Sequence, residues 1–245
     1  MKNLGSQIAK NGFKNEDDIA EKFNNWKTDP ESPVWLSIMG YQIDNIEYVF
    51  AVVLHGYKTD VQVQITVKLK TLIDAQNIQV KLVSNINGFN QVDKRWVDKY
   101  IDLWSIPYNV VNILKRYTGE ISPDILNPKD NRRMFIHEFS HIDQSILYSW
   151  LENNKVLIIN DIIKGRGQFA AEWMLVAQKI QRNSRWVLHP INLCINHFGR
   201  GGIEFTKRGN IRLGNVTIQR KGGDSGRETA NMLQFKINPA ELFNL

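Results

Sequence analysis

The stretch VQVQITVKL, residues 61–69, decides the fold class of this chain. Its apolar and polar residues alternate strictly, which is the pattern of a β-strand that buries one face. A second strand-like stretch, NIQVKLVS at 77–84, follows after KLKTLIDAQ, so the two predict an antiparallel hairpin with a midpoint near residue 70. The segment IEYVFAVVL, 46–54, adds a strand before them. The first third of the chain therefore predicts three antiparallel strands.

The rest of the chain mixes helical and strand patterns. Apolar residues at helical spacing predict helices at 13–27, 91–104 and 132–152, and another beginning in GQFAAEWMLVAQKI, 167–180. The apolar run KVLIIND, 155–161, predicts a buried strand, and short strands are expected within 210–221 and at 233–237. This order predicts an α/β fold, with a mixed central sheet flanked by helices.

The charge distribution is a weak indication of a polyanionic partner. The formal net charge is +6, and residues 200–236 carry eight basic and three acidic side chains, or +5 of that excess. This segment is either a solvated basic face or a phosphate-binding surface. The single cysteine excludes an internal disulfide, and the sequence shows no signal peptide and no apolar run of membrane-spanning length. A cytoplasmic protein without membrane partners is the expectation.

Residues suited to phosphodiester hydrolysis fall on the predicted hairpin. Asp60 precedes VQVQITVKL, while Gln79 and Lys81 lie two apart on the next strand and project from one face. The Asp60 carboxylate is a hard ligand for Mg²⁺, the Gln79 amide oxygen a weaker one, and the Val80 carbonyl could supply another. Lys81 could position the attacking water or offset charge in the transition state. Because this spacing is a loose pattern, an ordinary turn aspartate near a solvated strand lysine remains an alternative.

The motif TD at 59–60 followed by QVK at 79–81 resembles the active-site motif of type II restriction endonucleases in the PD-(D/E)xK superfamily. An amide at position 79, where the superfamily usually carries Asp or Glu, is a departure shared with the MspI-like subgroup and its HinP-type, GCGC-cutting enzymes. Blocks along most of the chain resemble the same subgroup: GFKNEDDIA, NIQVKLVSN, GFNQVDK, GRGQFAAEW and VTIQRKGGDSGRETANMLQFK.

The resemblance implies an activity and a catalytic centre. It implies a single endonuclease domain over 1–245, with a catalytic core at about 10–160 and a DNA-recognition part at about 161–245. The expected reaction is Mg²⁺-dependent cleavage of double-stranded DNA at a short palindrome, GCGC, giving 5′-phosphate ends, with a cognate DNA methyltransferase in the host. Asp60 would bind the metal, and Gln79, the Val80 carbonyl and Lys81 would complete the centre. Glu16 would add a metal contact, or else only favour the start of its helix.

The resemblance also implies base-reading residues in GFNQVDKR, 88–95. Gln91 suits a bidentate contact to adenine or a donor to guanine, and Lys94 suits the guanine acceptors. Both are expected where a helix opens. The oligomeric state stays open, because a palindrome can be cut by a dimer or by a monomer that nicks each strand in turn.

Basic residues in glycine-rich segments are further candidates for DNA contacts. Arg220, Lys221 and Arg227 flank glycines that would let the backbone approach DNA closely. Arg208, in TKRGN, is a weaker candidate. Arg166 lies in GRGQFA, which is expected to follow a strand and open a helix whose N-terminus would hold a phosphate.

HEFSH, residues 137–141, matches the H-E-x-x-H signature of zinc proteases. In a helix its two histidines would share a face, but no third ligand stands at the spacing that the longer zinc-protease patterns require. A solvated helix face is the preferred interpretation of this motif. A zinc protease remains a distant alternative, and a DNA-binding protein without cleavage is the nearer one.

Overall fold

The computed structural model describes residues 4–54, 63–70, 72–85, 88–180, 183–222 and 226–245. Within these ranges the chain forms two compact units, each with its own five-stranded sheet. The first unit comprises Met1–Asn90, Ile163–Cys194 and Asn238–Leu245, and the second Gln91–Ile162 and Ile195–Ile237. No helix in the described ranges is long and apolar enough to cross a membrane.

The helices are α1 (Leu4–Asn24), α2 (Ser32–Ile38), α3 (Val97–Trp104), α4 (Tyr108–Thr118), α5 (His141–Lys164) and α6 (Ile191–Gly199). The strands are β1 (Ile46–Val53), β2 (Val63–Leu69), β3 (Ile73–Val83), β4 (Asn90–Arg95), β5 (Trp173–Ile180), β6 (Asn183–Pro190), β7 (Ile203–Phe205), β8 (Ile211–Leu213), β9 (Val216–Arg220) and β10 (Leu233–Ile237).

The sheet of the first unit has the order β1-β2-β3-β5-β6. β3 and β5 pair in parallel and the other pairs are antiparallel, which confirms the predicted strand trio and the mixed sheet. One face is apolar, because Ile65 and Ile78 are fully buried there together with Ile19 and Phe23 of α1. The alternation that predicted β2 therefore reflects a strand with one face in the core.

The sheet of the second unit has the order β4-β10-β9-β8-β7, and its short strands at 211–213, 216–220 and 233–237 were predicted. Phe235 of β10 packs edge-on against Tyr100 and Trp104 of α3, with ring centroids 5.5 and 5.6 Å apart. The Tyr117 hydroxyl of α4 donates to the Ile218 carbonyl of β9 at 3.0 Å. These contacts hold the helices to one face of this sheet.

Two predicted elements are of the wrong type. Residues 155–161 are not a strand but part of α5, where Ile158 and Ile159 are buried while Val156 is 81% exposed. The run 167–180 does not begin a helix, because a short 3-10 turn, Gly167–Phe169, leads into β5. Continuous apolar runs carry no periodicity that separates a buried strand from a helix, so pairing with β3 decided the second case.

Three predicted helices differ in their bounds. The helix expected at 13–27 is α1, Leu4–Asn24. The helix expected at 91–104 is divided, because its first residues form β4 and only Val97–Trp104 is helical. The helix expected at 132–152 begins only at His141, after a 3-10 turn at Ile136–Glu138.

Candidate active site

The predicted catalytic pair lies on β3, at the centre of the first sheet. Gln79 and Lys81 are two residues apart and therefore project from one face, as predicted. Both side chains are buried, with 0% and 6% of their surface exposed. Val80 is directed to the opposite, apolar face, where it belongs to the core cluster. Asp60 lies outside the described residues, and its role as a metal ligand stays a prediction.

Gln79 has an unusual environment for a buried amide. Neither its Oε1 nor its Nε2 has a hydrogen-bond partner among the described residues. Leaving a buried polar group unpaired costs about 1–3 kcal/mol, so such groups in native proteins require an explanation. An amide oxygen is a competent ligand for a hard cation, so Gln79 fits a Mg²⁺ ligand or a group that meets substrate.

A neighbouring amide on the same face, Asn77, is fully used. Its Oδ1 accepts from Gln64 Nε2 at 2.9 Å, and its Nδ2 donates to the carbonyls of Gln168 and Ala170 at 3.0 and 3.1 Å. The Glu172 carboxylate accepts from the Asn77 backbone N–H at 2.6 Å. Asn77 thus ties the turn before β5 to β3, two residues before Gln79. No local pattern in the sequence indicated this role, because its partners lie about ninety residues away.

The prediction that GRGQFA follows a strand and opens a helix was wrong. This segment follows α5 and precedes β5, so Arg166 does not lie at a helix N-terminus. Arg166 is exposed and stands just before the 3-10 turn at Gly167–Phe169. Its contact with DNA remains a prediction, without the helix dipole that was expected to support it.

Two further polar side chains of the first unit are buried. Gln178 on β5 lies on the same sheet face as Gln79, since Val83 pairs with Gln178 and Gln79 with Met174. Gln178 is buried, and its Nε2 has no hydrogen-bond partner among the described residues. Glu16 is also buried, on α1, which packs against the apolar face of the sheet. Its role as a metal ligand stays a prediction.

The predicted base readers of the second unit lie on a strand and not at a helix start. Gln91 and Lys94 are exposed residues of β4, and strand geometry directs residues three apart to opposite faces. The Oε1 of Gln91 accepts a hydrogen bond from Nε2 of Gln234 on β10 at 2.6 Å. The structure therefore separates the two predicted readers and anchors one of them in the sheet.

The predicted basic contacts differ in exposure. Arg208 and Arg227 are exposed, and Lys221 is half-buried. Arg220 is buried, and its guanidinium lies 3.8 Å from the Asp130 carboxylate. Burial is the main reason that the pKa of Arg220 is lowered, and neighbouring arginines lower it further. The roles of all four in DNA binding stay predictions.

A group of arginines surrounds Asp130. The Arg132 side chain donates to both carboxylate oxygens, at 2.9 and 3.0 Å, and Arg133 lies 3.8 Å away. The hydrogen bond from the Arg132 side chain is the main reason that the pKa of Asp130 falls to about 2. Asp130 is therefore an anion at every physiological pH.

HEFSH does not have zinc-site geometry. His137 and Glu138 lie in the 3-10 turn and His141 begins α5, so the two histidines do not share one helix face. The Glu138 carboxylate accepts from the backbone N–H groups of Phe135 and Lys129 at 2.7 and 2.8 Å. The described residues contain no group of three His, Cys, Asp or Glu that could hold a metal ion.

Comparison with known proteins gives two findings. The sequence model of the R.HinP1I restriction endonuclease family matches residues 39–243. The solved structure of the restriction endonuclease MspI in complex with its cognate DNA is similar to this chain, with a TM-score of 0.65 and 14% sequence identity. That similarity covers 92% of this chain and 88% of MspI, and it shows a common fold. No curated protein sequence matches the chain.

Proposed function

The chain belongs to the R.HinP1I restriction endonuclease family, and on this basis we propose that it cleaves double-stranded DNA at GCGC by Mg²⁺-dependent hydrolysis, leaving 5′-phosphate ends. Family membership makes it a type II restriction endonuclease, that is, a site-specific deoxyribonuclease. The common fold with MspI, which was solved on its cognate DNA, supports a duplex substrate. The site GCGC follows from the subgroup that the sequence blocks resemble.

The observation that carries the metal-dependent mechanism is the buried amide of Gln79, two residues from Lys81, for which the described ranges contain no hydrogen-bond partner. A buried group that costs stability and has no partner in the described part of the chain suits a role toward a ligand or substrate. The donors implied by the sequence are the Asp60 carboxylate, the Gln79 amide oxygen and the Val80 carbonyl, all oxygen ligands of the kind that Mg²⁺ prefers. Together they carry a single formal negative charge, so substrate phosphate oxygens would complete the coordination.

Each residue then has a distinct task. Asp60, Gln79 and the Val80 carbonyl would hold Mg²⁺, which when bound would supply Lewis-acid stabilisation of charge on the scissile phosphate. Lys81 would orient the attacking water and offset negative charge as the phosphorus–oxygen bond breaks. Because Lys81 is buried, its ammonium would act in a medium that strengthens this electrostatic effect.

The decisive experiment is digestion of an unmethylated plasmid of known sequence with Mg²⁺ or with EDTA, followed by sequencing of the fragment ends. Discrete, Mg²⁺-dependent ends at GCGC with 5′-phosphates support the whole proposal. Discrete ends at another sequence retain the chemistry and refute the substrate. An intact plasmid refutes the proposed cleavage, and filter binding then tests the alternative of a DNA-binding protein whose amide-for-acid site does not cleave.

A nuclease of this kind would operate with partners that the sequence implies. We expect a DNA methyltransferase in the same cell that modifies the same sites, and action in the cytoplasm, where foreign DNA arrives. Digestion of host DNA tests the first expectation. Modified host sites must resist cleavage, whereas unmodified DNA of the same sequence must be cut.

A further inference from the structure

Three glutamines on three adjacent strands of the second sheet form a continuous hydrogen-bonded relay. Gln219 lies on β9, Gln234 on β10 and Gln91 on β4, in the strand order β4-β10-β9. Gln219 and Gln234 are directly opposite one another in the β9–β10 register. Gln219 Nε2 donates to Gln234 Oε1 at 3.2 Å, and Gln234 Nε2 donates to Gln91 Oε1 at 2.6 Å.

Each amide has one donating and one accepting end, so the three orientations are linked, and in this structure donation runs from Gln219 through Gln234 to Gln91. Gln234 is 5% exposed and uses both ends, so rotating its amide alone would break both hydrogen bonds. A buried amide with broken bonds costs free energy, which couples the three orientations to one another. The last member, Gln91, is exposed and keeps its oxygen against Gln234. Its NH₂ group makes no hydrogen bond to any residue that the structure describes.

The orientation of Gln91 decides which base edge it matches best, because an NH₂ donor meets two major-groove acceptors on guanine but only one on adenine or thymine. Guanine presents two acceptors, N7 and O6, in the major groove, and an NH₂ donor matches them. The bidentate contact of glutamine with adenine needs an amide oxygen that accepts from the N6 amino group. In this protein that oxygen already accepts from Gln234. Sequence alone left both bases open for Gln91.

We propose that Gln234 and Gln219 are specificity-determining positioning residues, which hold Gln91 as a hydrogen-bond donor and so make it a reader of guanine. The inference rests on the proposed function only in taking Gln91 as a base-contacting residue. Gln234 and Gln219 act through Gln91 and need not touch DNA themselves. Neither was identifiable from sequence, because the relay joins residues that are up to 143 positions apart.

The test reverses the relay without changing its length. Glutamate in its ionised form only accepts, so Gln219→Glu forces Gln234 to donate toward position 219 and to present its oxygen to Gln91. Gln91 must then donate to Gln234 and present its own oxygen to DNA. Gln234→Glu has the same effect in one step. Gln219→Leu is the matched control, because it removes the relay's first donor without imposing the reverse direction.

The readout is the ratio of kcat/KM for two duplexes, one with G·C and one with A·T at the base pair that Gln91 contacts. That base pair is identified as the position at which Gln91→Ala changes the ratio most. The unaltered protein should favour G·C by at least about fivefold, the lower end for a good base contact. Both glutamate variants should abolish or invert this preference. Gln219→Leu should weaken it without inversion. A merely structural role would affect Gln219→Glu and Gln219→Leu alike.

A second measurement separates failure of this inference from failure of the proposed function. NMR of the DNA-free protein follows exchange of the side-chain NH₂ protons with water. Protons of Gln219 and Gln234 should be protected and those of Gln91 should exchange freely. Protection at Gln91 with free exchange at Gln219 overturns the relay direction whatever the protein does to DNA.

If the protection pattern is as expected but Gln91→Ala changes no ratio at any base pair, the assignment of Gln91 as a base reader is wrong. If Gln91→Ala matters and the glutamate variants leave the preference intact, the positioning role is refuted.

Discussion

Replacing Gln79 by methionine should raise the stability of the protein and abolish its activity. The amide is fully buried and neither polar atom is paired in the described part of the chain. Methionine has nearly the same length and no strongly polar atom, so it removes the penalty of an unpaired buried group, about 1–3 kcal/mol. For a protein of 245 residues this corresponds to a rise in Tm of roughly 2–12 °C, at about 2–4 °C per kcal/mol. Cleavage of plasmid should fall below detection, because the amide oxygen that would bind the metal is gone.

The matched control lies two residues away on the same strand. Asn77 is equally an amide on a buried position, but its side chain makes three hydrogen bonds. Asn77→Leu should therefore lower the free energy of unfolding by about 2–4 kcal/mol, since each lost bond contributes about 0.5–1.5 kcal/mol and leaves unpaired groups behind. Urea denaturation without divalent metal compares the two variants with the unaltered protein. Destabilisation of both to a similar extent would falsify the view that Gln79 is an unpaired group kept for function.

Four further outcomes are expected. Lys81→Ala should abolish cleavage and leave the affinity for a duplex within about threefold of that of the unaltered protein, measured by gel shift with EDTA. One ammonium is a minor part of the phosphate contacts that dominate DNA affinity. Loss of binding together with cleavage contradicts a catalytic role. Asp130→Asn should destabilise the protein at pH 7. Because the folded pKa of Asp130 is lowered to about 2 from 3.8, the difference in free energy of unfolding from the unaltered protein should persist above pH 3.8 and vanish as the pH falls through about 2. Urea denaturation at stepped pH tests this, and a difference in free energy that is constant with pH refutes it. Cys194 is fully buried, and burial raises its pKa to about 12, so it should not react with a thiol reagent at pH 8 until the protein unfolds; rapid reaction of the native protein would contradict the burial. His141→Ala should leave both cleavage and metal content unchanged, and stoichiometric zinc in the purified protein that this substitution removes would restore the protease hypothesis.

Sequence patterns were reliable where one element has one buried face. The alternation of β2 and the short apolar strands at 211–213, 216–220 and 233–237 identified these elements correctly. Patterns failed where an element is apolar throughout. The run 155–161 has the composition of a buried strand, but it lies within the 24-residue helix α5, which leaves Val156 exposed.

The site shows the same division. The motif at Gln79 and Lys81 was recognisable because two positions on one strand share a face whatever the surrounding fold. Asn77 and Gln234 were not recognisable, because their hydrogen-bond partners belong to strands and turns that are distant in sequence. The expectation that HEFSH lies on one helix face was wrong for a related reason, since Glu138 caps a 3-10 turn that the local sequence does not reveal.

The sequence by itself determined the family, the α/β class and the face on which Gln79 and Lys81 lie, because these follow from residue identity and from the two-residue period of a strand. Only the tertiary structure decided that Gln79 has no hydrogen-bond partner among the described residues while Asn77 is satisfied, and that the amide oxygen of Gln91 accepts from Gln234. Those properties depend on which polar atoms long-range strand pairing brings within about 3 Å of one another, and hydrogen bonds of that length cannot be read from local periodicity.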